Sequence, residues 1–256
     1  MVIISIANIK GGTGKTQTII NLAQEFSKHK KTLLIDNDPQ SSATQILLPN
    51  ETEFEATMYD VYTDKDCKIS DCIYLYNENL GVVPNDLRGM KLDLDLVNKM
   101  NREQILKNKL NSIPDEFEYV LIDNSPYMGL VTQNALVASD YTMCVIDSGI
   151  SSIYGLNILK LILGELHENG LVKNTQLLGI LRNGFVKNTK QTKEINSIAE
   201  EALTDEILSD IVYRSVKYSE ATSSHQTIQE YAPDHAKVYE SITKELLQRI
   251  NEREGI

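Results

Sequence analysis

A glycine-rich turn at residues 10–16 reads Lys-Gly-Gly-Thr-Gly-Lys-Thr and limits the folds open to this chain. It follows the apolar run 2–7 and precedes a segment with helical periodicity. When a strand continues through such a turn into a helix, successive backbone N–H groups point at one spot beside the positive end of the helix dipole. This order of strand, loop and helix therefore predicts a phosphate-binding loop.

Each residue of the loop has a predicted task. Gly11, Gly12 and Gly14 allow the backbone to approach phosphate groups closely, with φ values that a side chain would penalise. Lys15 is expected to reach the β- and γ-phosphates, and the Thr16 hydroxyl is expected to bind Mg²⁺.

The loop departs from the usual P-loop pattern at its start. Ile9 stands where a glycine is expected, and an additional lysine, Lys10, follows it. Because Lys10 lies at the outer entry of the turn, we expect its side chain to project away from its own loop and across a surface.

At this point the chain resembles the deviant Walker A ATPases, which include the ParA partition proteins and the MinD division-site protein. The resemblance implies ATP and Mg²⁺ as ligands and a homodimer with ATP between two subunits. It implies that Lys10 is catalytic in the neighbouring site, as an arginine finger is elsewhere. It also places Thr13 and Gln17 in the nucleotide-binding segment, with Lys15 as a further catalytic residue.

A second apolar run, 32–35, ends in the sequence Asp-Asn-Asp-Pro-Gln at 36–40, and ParA-like proteins carry D-x-D-P-Q at this place. Carboxylates at the carboxyl end of a parallel strand face the ligand crevice. The resemblance implies that Asp38 positions or deprotonates the attacking water and that Asp36 supports the Mg²⁺ shell. The alternative is a strand-to-helix turn in which Asp38 or Ser41 caps the helix.

A third apolar run, 119–122, also ends in a carboxylate, Asp123. This is the Walker B arrangement, in which the carboxylate holds Mg²⁺, and we expect a water between them because Mg²⁺ gives up its hydration reluctantly. The three segments together favour ATP hydrolysis over binding alone. A small-molecule P-loop kinase or synthetase is an alternative, but the sequence shows no convergent residues for a second substrate.

The carboxyl half carries further similarity to partition ATPases. Segment 213–221, Tyr-Arg-Ser-Val-Lys-Tyr-Ser-Glu-Ala, resembles the family's I-P-R-x-V-R-x-S-E-A, with Tyr213 in place of proline. This region borders the adenine in relatives, so Tyr213 is a candidate nucleotide contact. Asn183 is another candidate for the adenine, although a strand-end turn explains an asparagine there equally well.

Composition sets the outer limits. With 256 residues and 41% hydrophobic content, the chain can bury one sizeable core. We expect a single ATPase domain over 1–256, with no helix-turn-helix before Lys10. No signal peptide and no apolar stretch of roughly 20 residues is found, so the expected location is cytoplasmic. The cysteines, Cys67, Cys72 and Cys144, form no C-x-x-C pair, and we expect them to be buried as small apolar residues.

Apolar runs alternate with helical patterns along the chain. We predict strands near 2–7, 32–36, 80–83, 119–122, 141–146 and 176–181, and helices near 15–29, 151–168, 189–203 and 235–251. This alternation predicts a doubly wound α/β fold, a mostly parallel sheet with helices on both faces. The charged stretch 91–110 is predicted to be helical and solvent-facing, with contact to a partner as the alternative.

The net charge of −11 opposes DNA binding, which the resemblance implies for the ATP-bound state. A local basic stripe can nevertheless lie on an acidic protein. The candidate DNA contacts are Arg214, Lys217, Lys244 and Arg249. The last two alternate with glutamates, so a solvated helix face explains them equally well.

The resemblance also implies partners. It implies non-specific DNA, association with the nucleoid, slow basal turnover, and a ParB-like centromere-binding protein that stimulates hydrolysis. A MinD-like membrane-cycling ATPase is the alternative. The segment 242–256 is amphipathic but carries acidic residues and no aromatic residue, so we expect no membrane binding.

Overall fold

The computed structural model describes residues 1–49, 51–172, 176–203 and 205–255. Its strands are β1 (Val2–Ala7), β2 (Thr32–Asn37), β3 (Tyr74–Leu75), β4 (Leu80–Val83), β5 (Tyr119–Asn124), β6 (Tyr141–Ile146), β7 (Gln176–Phe185) and β8 (Ile207–Tyr213). They form one eight-stranded sheet in the order β3-β4-β2-β5-β1-β6-β7-β8. Neighbouring strands are parallel except that β3 runs antiparallel to β4.

Helices cover both faces of this sheet. They are α1 (Lys15–Ser27), α2 (Ser42–Leu47), α3 (Met58–Thr63), α4 (Leu92–Leu96), α5 (Ile105–Leu110), α6 (Leu130–Ala138), α7 (Ile150–Glu168), α8 (Lys190–Ala202), α9 (Val216–Ser223), α10 (Ile228–Tyr231) and α11 (Pro233–Glu254). Successive residues of a strand point to opposite faces. Leu34 of β2 therefore packs in the cluster that contains α1 and α11, while Leu33 and Ile35 pack with α3 and α4. The prediction of a doubly wound, mostly parallel fold is confirmed.

The predicted strands are all present, and two further strands, β3 and β8, were missed. β7 continues to Phe185, beyond the predicted end near residue 181, and β8 lies beside it at one edge of the sheet. β8 has polar residues at Ser209 and Asp210, which interrupt the apolar run that identified the other strands. An edge strand needs less apolar sequence than a central strand because it has a neighbour on one side only.

The segment 91–110 is not one solvent-facing helix, so that prediction is wrong. The chain turns at Asn101, whose φ of 51° lies in the left-handed region, and α4 and α5 lie on either side of this turn. Both helices contribute to the core, since each buries leucines, namely Leu92, Leu96, Leu106 and Leu110. Because charged residues lie between these leucines, the sequence reads as one polar stretch and does not distinguish the two short amphipathic helices.

The last helix, α11, packs its apolar side against the body of the protein. Its buried residues include Tyr239, Ile242, Leu246 and Ile250, and the helix contacts α1 and β8. Within the described part of the chain, no helix combines the length and the apolar character that crossing a bilayer requires.

Candidate nucleotide site

The loop between β1 and α1 has the backbone geometry that the sequence predicts. Gly12 and Gly14 have φ values of 77° and 86°, in the left-handed region that favours glycine. A Cβ atom at Gly14 would also lie 2.1 Å from Nδ2 of Asn183. The helix begins directly after this glycine, with Lys15 and Thr16 in its first turn.

A buried asparagine that the sequence analysis did not single out anchors the loop. Asn8 donates from Nδ2 to the carbonyl oxygen of Val145 (2.8 Å), and its Oδ1 accepts the backbone N–H of Lys10 (2.9 Å). On the other side lies Gly155 of α7, where a Cβ atom would be 2.1 Å from Asn8 Oδ1. The loop, β6 and α7 are therefore packed together through one side chain.

Lys10 projects away from its own loop, as expected, but it does not extend freely over the surface. Its Nζ lies 2.7 Å from Oδ1 of Asp147, the residue that follows β6. Both side chains are partly exposed, at 26% and 24%. Asp147 was missed, although its position is the signal used for Asp123, a carboxylate directly after an apolar strand.

Three of the predicted charged residues meet beside the loop. Lys15, Asp38 and Asp123 are all buried. Burial lowers the pKa of Lys15, and the charges of Asp123 and Asp38 oppose that shift. Burial raises the pKa of Asp123 well above its usual range, and the charge of Asp36 adds to this shift.

Asp123 has the free electron pairs that a cation site needs. Neither of its carboxylate oxygens has a hydrogen-bond partner among the described residues, although the side chain is completely buried. A buried carboxylate without a partner is unfavourable, and a cation or a cation-bound water would relieve the cost. Oxygen donors of this kind are what Mg²⁺ prefers, so the residues present fit this ion.

Asp36, by contrast, is occupied by the protein. Its Oδ2 accepts hydrogen bonds from the backbone N–H (2.8 Å) and the hydroxyl (2.7 Å) of Thr44 in α2, and its Oδ1 accepts the N–H of Asp38 (3.2 Å). Burial raises the pKa of Asp36 to about 6. The capping role considered for Asp38 or Ser41 thus belongs to Asp36, and direct metal binding by Asp36 is not favoured.

Asp38 keeps part of its carboxylate available. Its Oδ1 accepts the backbone N–H of Gln40 (2.9 Å), an arrangement that holds the side chain in one orientation. The second oxygen makes no hydrogen bond within the described ranges. This carboxylate is therefore oriented, and it lies close enough to Lys15 to stabilise the lysine's charge.

A cavity of about 520 Å³ lies beside the loop and has the size of a nucleoside site. Its walls include Gln17, Asn183, Tyr213 and Arg214. Asn183 donates from Nδ2 to the carbonyl oxygen of Thr13 (2.7 Å), so its amide group supports the phosphate loop. Asn183 lies within β7 and not in a turn at its end, so the strand-end explanation is wrong, and contact with the adenine stays a prediction for a residue that lines this cavity.

The candidate DNA contacts differ in how free their charges are. Arg214 is exposed and lies at the wall of the nucleoside-sized cavity. Lys217 and Lys244 each pair with a glutamate of their own helix, Lys217 with Glu220 (2.8 Å) and Lys244 with Glu240 (2.6 Å). Exposed pairs of this kind are weak, so both lysines can exchange partners.

Arg249 is a structural residue, which corrects its assignment as a DNA contact. Its guanidinium pairs with Glu245 (2.7 Å) and donates to the carbonyl oxygens of Leu178 (3.1 Å) and Ile207 (2.7 Å). These bonds join α11 to β7 and β8. Only 18% of the side chain is exposed, so the charge is committed to the fold.

A further basic group lies beside Arg214 and was missed. Lys187 lies over the ring of Tyr213, with Nζ 4.7 Å from the ring centroid, and the N–H of Arg214 donates to the carbonyl oxygen of Phe185 (2.8 Å). Exposed lysines follow Lys187 along the chain. We call Lys187, Lys190, Lys193 and Arg214 the basic edge. The sequence signal was the spacing of three lysines at every third position, from the loop after β7 into the first turn of α8.

The fold and the site define a P-loop nucleotide-binding protein, with a phosphate loop after the first strand and carboxylates at the ends of two neighbouring strands. A family model described as an AAA domain matches residues 1–178. The sporulation initiation inhibitor protein Soj of Bacillus subtilis is 31% identical over 252 residues, which are 95% of this chain and 97% of that protein. The chromosome partitioning protein ParA of Myxococcus xanthus is 32% identical over 253 residues, 96% of this chain and 88% of that protein. The chain belongs to the ParA/Soj family of partition ATPases.

Solved structures agree with this assignment. A plasmid partition protein from Borrelia burgdorferi bound to AMPPNP has a TM-score of 0.82 and 25% identity, covering 97% of this chain and 99% of that chain. The apo form of McdA from a Cyanothece species has a TM-score of 0.87, with 96% of this chain and 99% of that chain covered. At 24% identity, McdA supports the fold alone. The resemblance to the deviant Walker A ATPases is confirmed.

Proposed function

We propose that this chain is an ATP-hydrolysing switch for DNA partition. Two copies bind ATP, associate face to face, hold DNA without sequence preference, and release it after hydrolysis. The observation that carries the proposal is the convergence of Lys15, Asp38 and Asp123 beside a phosphate loop that also contains Lys10, in a chain of the ParA/Soj family.

The buried residues of the site supply the chemistry within one subunit. Lys15 neutralises charge on the β- and γ-phosphates, and its burial strengthens this interaction because the local dielectric is low. Asp38 orients the attacking water through the carboxylate oxygen that the protein leaves free, and it accepts the proton that the water loses. The base and ribose occupy the cavity lined by Asn183 and Tyr213.

Thr16 and Asp123 are the residues that would hold Mg²⁺. The ion supplies charge neutralisation at the phosphates when it is bound. Asp36 contributes indirectly, since it orients the turn that carries Asp38 and caps α2.

Lys10 serves the neighbouring subunit. It leaves Asp147, crosses to the nucleotide of the second copy, and stabilises the charge that develops on the phosphoryl group as it departs. An isolated subunit receives no lysine from a neighbour, and its own Lys10 stays paired with Asp147. Its site is therefore incomplete. This explains a slow basal turnover that a ParB-like partner stimulates.

The basic edge and Lys217 provide the surface for DNA. Lys187 and Arg214 lie side by side at the carboxyl ends of β7 and β8, and Arg214 also lines the nucleotide cavity. A nucleotide in that cavity would therefore change the surroundings of a residue that contacts DNA. Phosphate contacts require a local cluster of cations, which this edge has despite the net charge of −11.

The test is binding of the full chain to a random-sequence DNA duplex with ATP, with ADP and without nucleotide, at several salt concentrations. We expect the chain to bind DNA with ATP but not with ADP or without nucleotide. The affinity should fall steeply as the salt concentration rises, because counterions are released when phosphates are neutralised. ATP hydrolysis is measured in the same samples. Anionic vesicles form a parallel arm: ATP-dependent binding to vesicles but not to DNA would replace this proposal with membrane cycling.

A further inference from the structure

Two cysteines that the proposed function does not use lie against each other in the link between α3 and β3. The Sγ atoms of Cys67 and Cys72 are 3.7 Å apart. Both are free thiols, and the carbonyl oxygen of Lys68 accepts from each of them (3.8 and 3.5 Å). The C-x₄-C spacing had given no reason to expect this contact, because a short helical turn at Ile69–Cys72 brings the two side chains together.

We propose that Cys67 and Cys72 are a redox-active dithiol, which a small-molecule disulfide such as oxidised glutathione converts to an intramolecular disulfide. Closing the bond requires the sulfur atoms to approach from 3.7 Å to about 2.05 Å. The proposal is independent of the proposed partition function.

The backbone around the pair is held in place, which favours reaction between these two thiols over reaction with other molecules. Lys109 donates from Nζ to the carbonyl oxygens of Asp64 (2.8 Å), Lys65 (2.9 Å) and Cys67 (2.5 Å). The link therefore stays beside α5, and the Cys67 side chain stays directed at Cys72.

The two thiols have different access, and this assigns their roles. Cys72 is completely buried in the core cluster that also contains α3 and α5, whereas Cys67 is partly exposed. A disulfide in solution can reach Cys67 alone, so Cys67 is the attacking thiol and Cys72 the resolving thiol. Burial raises the pKa of both thiols, that of Cys72 to about 12, and the Lys109 ammonium partly offsets the shift at Cys67.

The reaction balances in two exchanges. The Cys67 thiolate attacks one sulfur of oxidised glutathione, forms a mixed disulfide, and releases one glutathione thiolate. The Cys72 sulfur, after losing its proton to solvent, attacks Cys67 Sγ and releases the second glutathione. The two protein thiols are oxidised, the glutathione disulfide is reduced to two thiols, and a reducing dithiol such as dithiothreitol reverses the change.

The experiment treats the native full chain with oxidised glutathione at mildly alkaline pH, quenches with acid, and counts thiols after unfolding. We expect the count to fall from three to one, because Cys144 is buried and keeps its thiol. Trypsin cuts after Lys65 and Lys68, so the two cysteines fall in separate peptides that the new bond joins. Mass spectrometry before and after dithiothreitol identifies the joined pair.

Two variants test the assigned roles. Cys72→Ser should stop at a mixed disulfide between Cys67 and glutathione. Cys67→Ser should lose thiols at least about tenfold more slowly, because Cys72 is not accessible. The peptide map of the wild-type chain tests directly for the bond between Cys67 and Cys72, so the proposal can be tested even if a variant folds poorly. A stable glutathione adduct on Cys67 with Cys72 free, a Cys67–Cys67 bond between two chains, or a count that stays at three would each overturn the proposal.

Discussion

Lys10 and Asp147 form an ion pair within one chain, with Nζ 2.7 Å from Oδ1. The loop after β1 carries Lys10, Asp147 follows β6, and these two strands are neighbours in the sheet. The lysine that we propose to act on a second subunit is therefore neutralised by its own subunit beforehand. Each side chain is only about a quarter exposed, so the pair is partly buried, and its separation requires another anion, such as a phosphate group, to replace the carboxylate.

The trans role of Lys10 can be tested by mixing two inactive variants. We expect Lys10→Ala to bind ATP but to lose most hydrolysis, and Asp38→Ala to accumulate as an ATP-bound dimer. In a mixed dimer, the Lys10→Ala subunit keeps Asp38 and receives Lys10 from its neighbour, so one of the two sites is complete. An equal mixture should recover about a quarter of the wild-type rate, measured as phosphate release at saturating protein concentration.

The control for this experiment is the double variant that carries both substitutions in one chain. Mixed with Lys10→Ala in place of Asp38→Ala, it leaves every possible dimer without a complete site, so this mixture sets the background. If Lys10 acts within its own subunit, the mixture of single variants stays at that background. Full hydrolysis by Lys10→Ala alone would remove Lys10 from the catalytic residues.

Gly155 and Gly164 offer a matched pair of substitutions in α7. A Cβ at position 155 would lie 2.1 Å from Asn8 Oδ1, whereas a Cβ at position 164 has no atom within 4 Å. We expect Gly155→Ala to lower the free energy of unfolding by about 1–3 kcal/mol through overpacking, and to weaken ATP binding because Asn8 holds the phosphate loop. Gly164→Ala should raise that free energy by up to about 1 kcal/mol through helix propensity. Urea unfolding and nucleotide titration check both, and equal effects at the two positions would contradict the role of Asn8.

The central part of the molecule was predictable because each of its signals is local. The strands β1, β2, β5 and β6 are mainly apolar runs, and the loop after β1 combines glycine and lysine in a fixed order. The side chains at the ends of these strands then converge, since parallel neighbours end at the same edge of the sheet. Lys15, Asp38 and Asp123 were brought together on this basis and on the resemblance to the deviant Walker A ATPases.

What the sequence did not reveal depends on contacts between distant segments. Asp36 was assigned to Mg²⁺ because its position in the motif suits a ligand, but Thr44 of α2 satisfies its carboxylate. Arg249 was grouped with exposed cations, although three chain segments supply its partners. A charge pattern along one helix does not show which neighbours lie across from it, and these neighbours decide whether a charge is free.

Asp123→Asn separates stability from ligand binding. The carboxylate is buried without a hydrogen-bond partner, so removing its charge should increase the free energy of unfolding by about 1 kcal/mol or more when divalent cations are chelated. The same variant should lose the stabilisation that MgATP gives to wild type, about 2.7 kcal/mol at a hundredfold excess over Kd. Urea unfolding with a chelator and with MgATP measures both effects.

The control for this variant is Asp115→Asn, which removes the same charge from an exposed loop. It should change neither the unfolding free energy with chelator nor the stabilisation by MgATP. If Asp123→Asn is less stable than wild type with chelator and still gains the full stabilisation from MgATP, Asp123 is a structural residue and the cation lies elsewhere.

Charge reversal at the basic edge tests where DNA binds. Lys187→Glu combined with Lys190→Glu should reduce ATP-dependent DNA affinity by about tenfold or more. The slope of log affinity against log salt concentration should fall by the amount expected for about two phosphate contacts. ATP affinity should change far less than DNA affinity, since neither lysine lines the cavity beside the phosphate loop and Lys187 contacts only the Tyr213 ring at its wall. Arg214 is tested separately because it does line that cavity, and Arg214→Glu should weaken DNA and nucleotide binding together.

The matched control reverses the same number of charges on α11, with Lys237→Glu and Lys244→Glu. Both lysines are exposed and each pairs with an acidic residue of the same helix. We expect at most a small loss of DNA affinity, due to the more negative net charge. If the α11 variant loses as much affinity as the basic-edge variant, the long-range field of the protein controls binding and the basic edge is not the contact surface. A loss confined to the basic edge would place the DNA beside the nucleotide cavity, where ATP can control it.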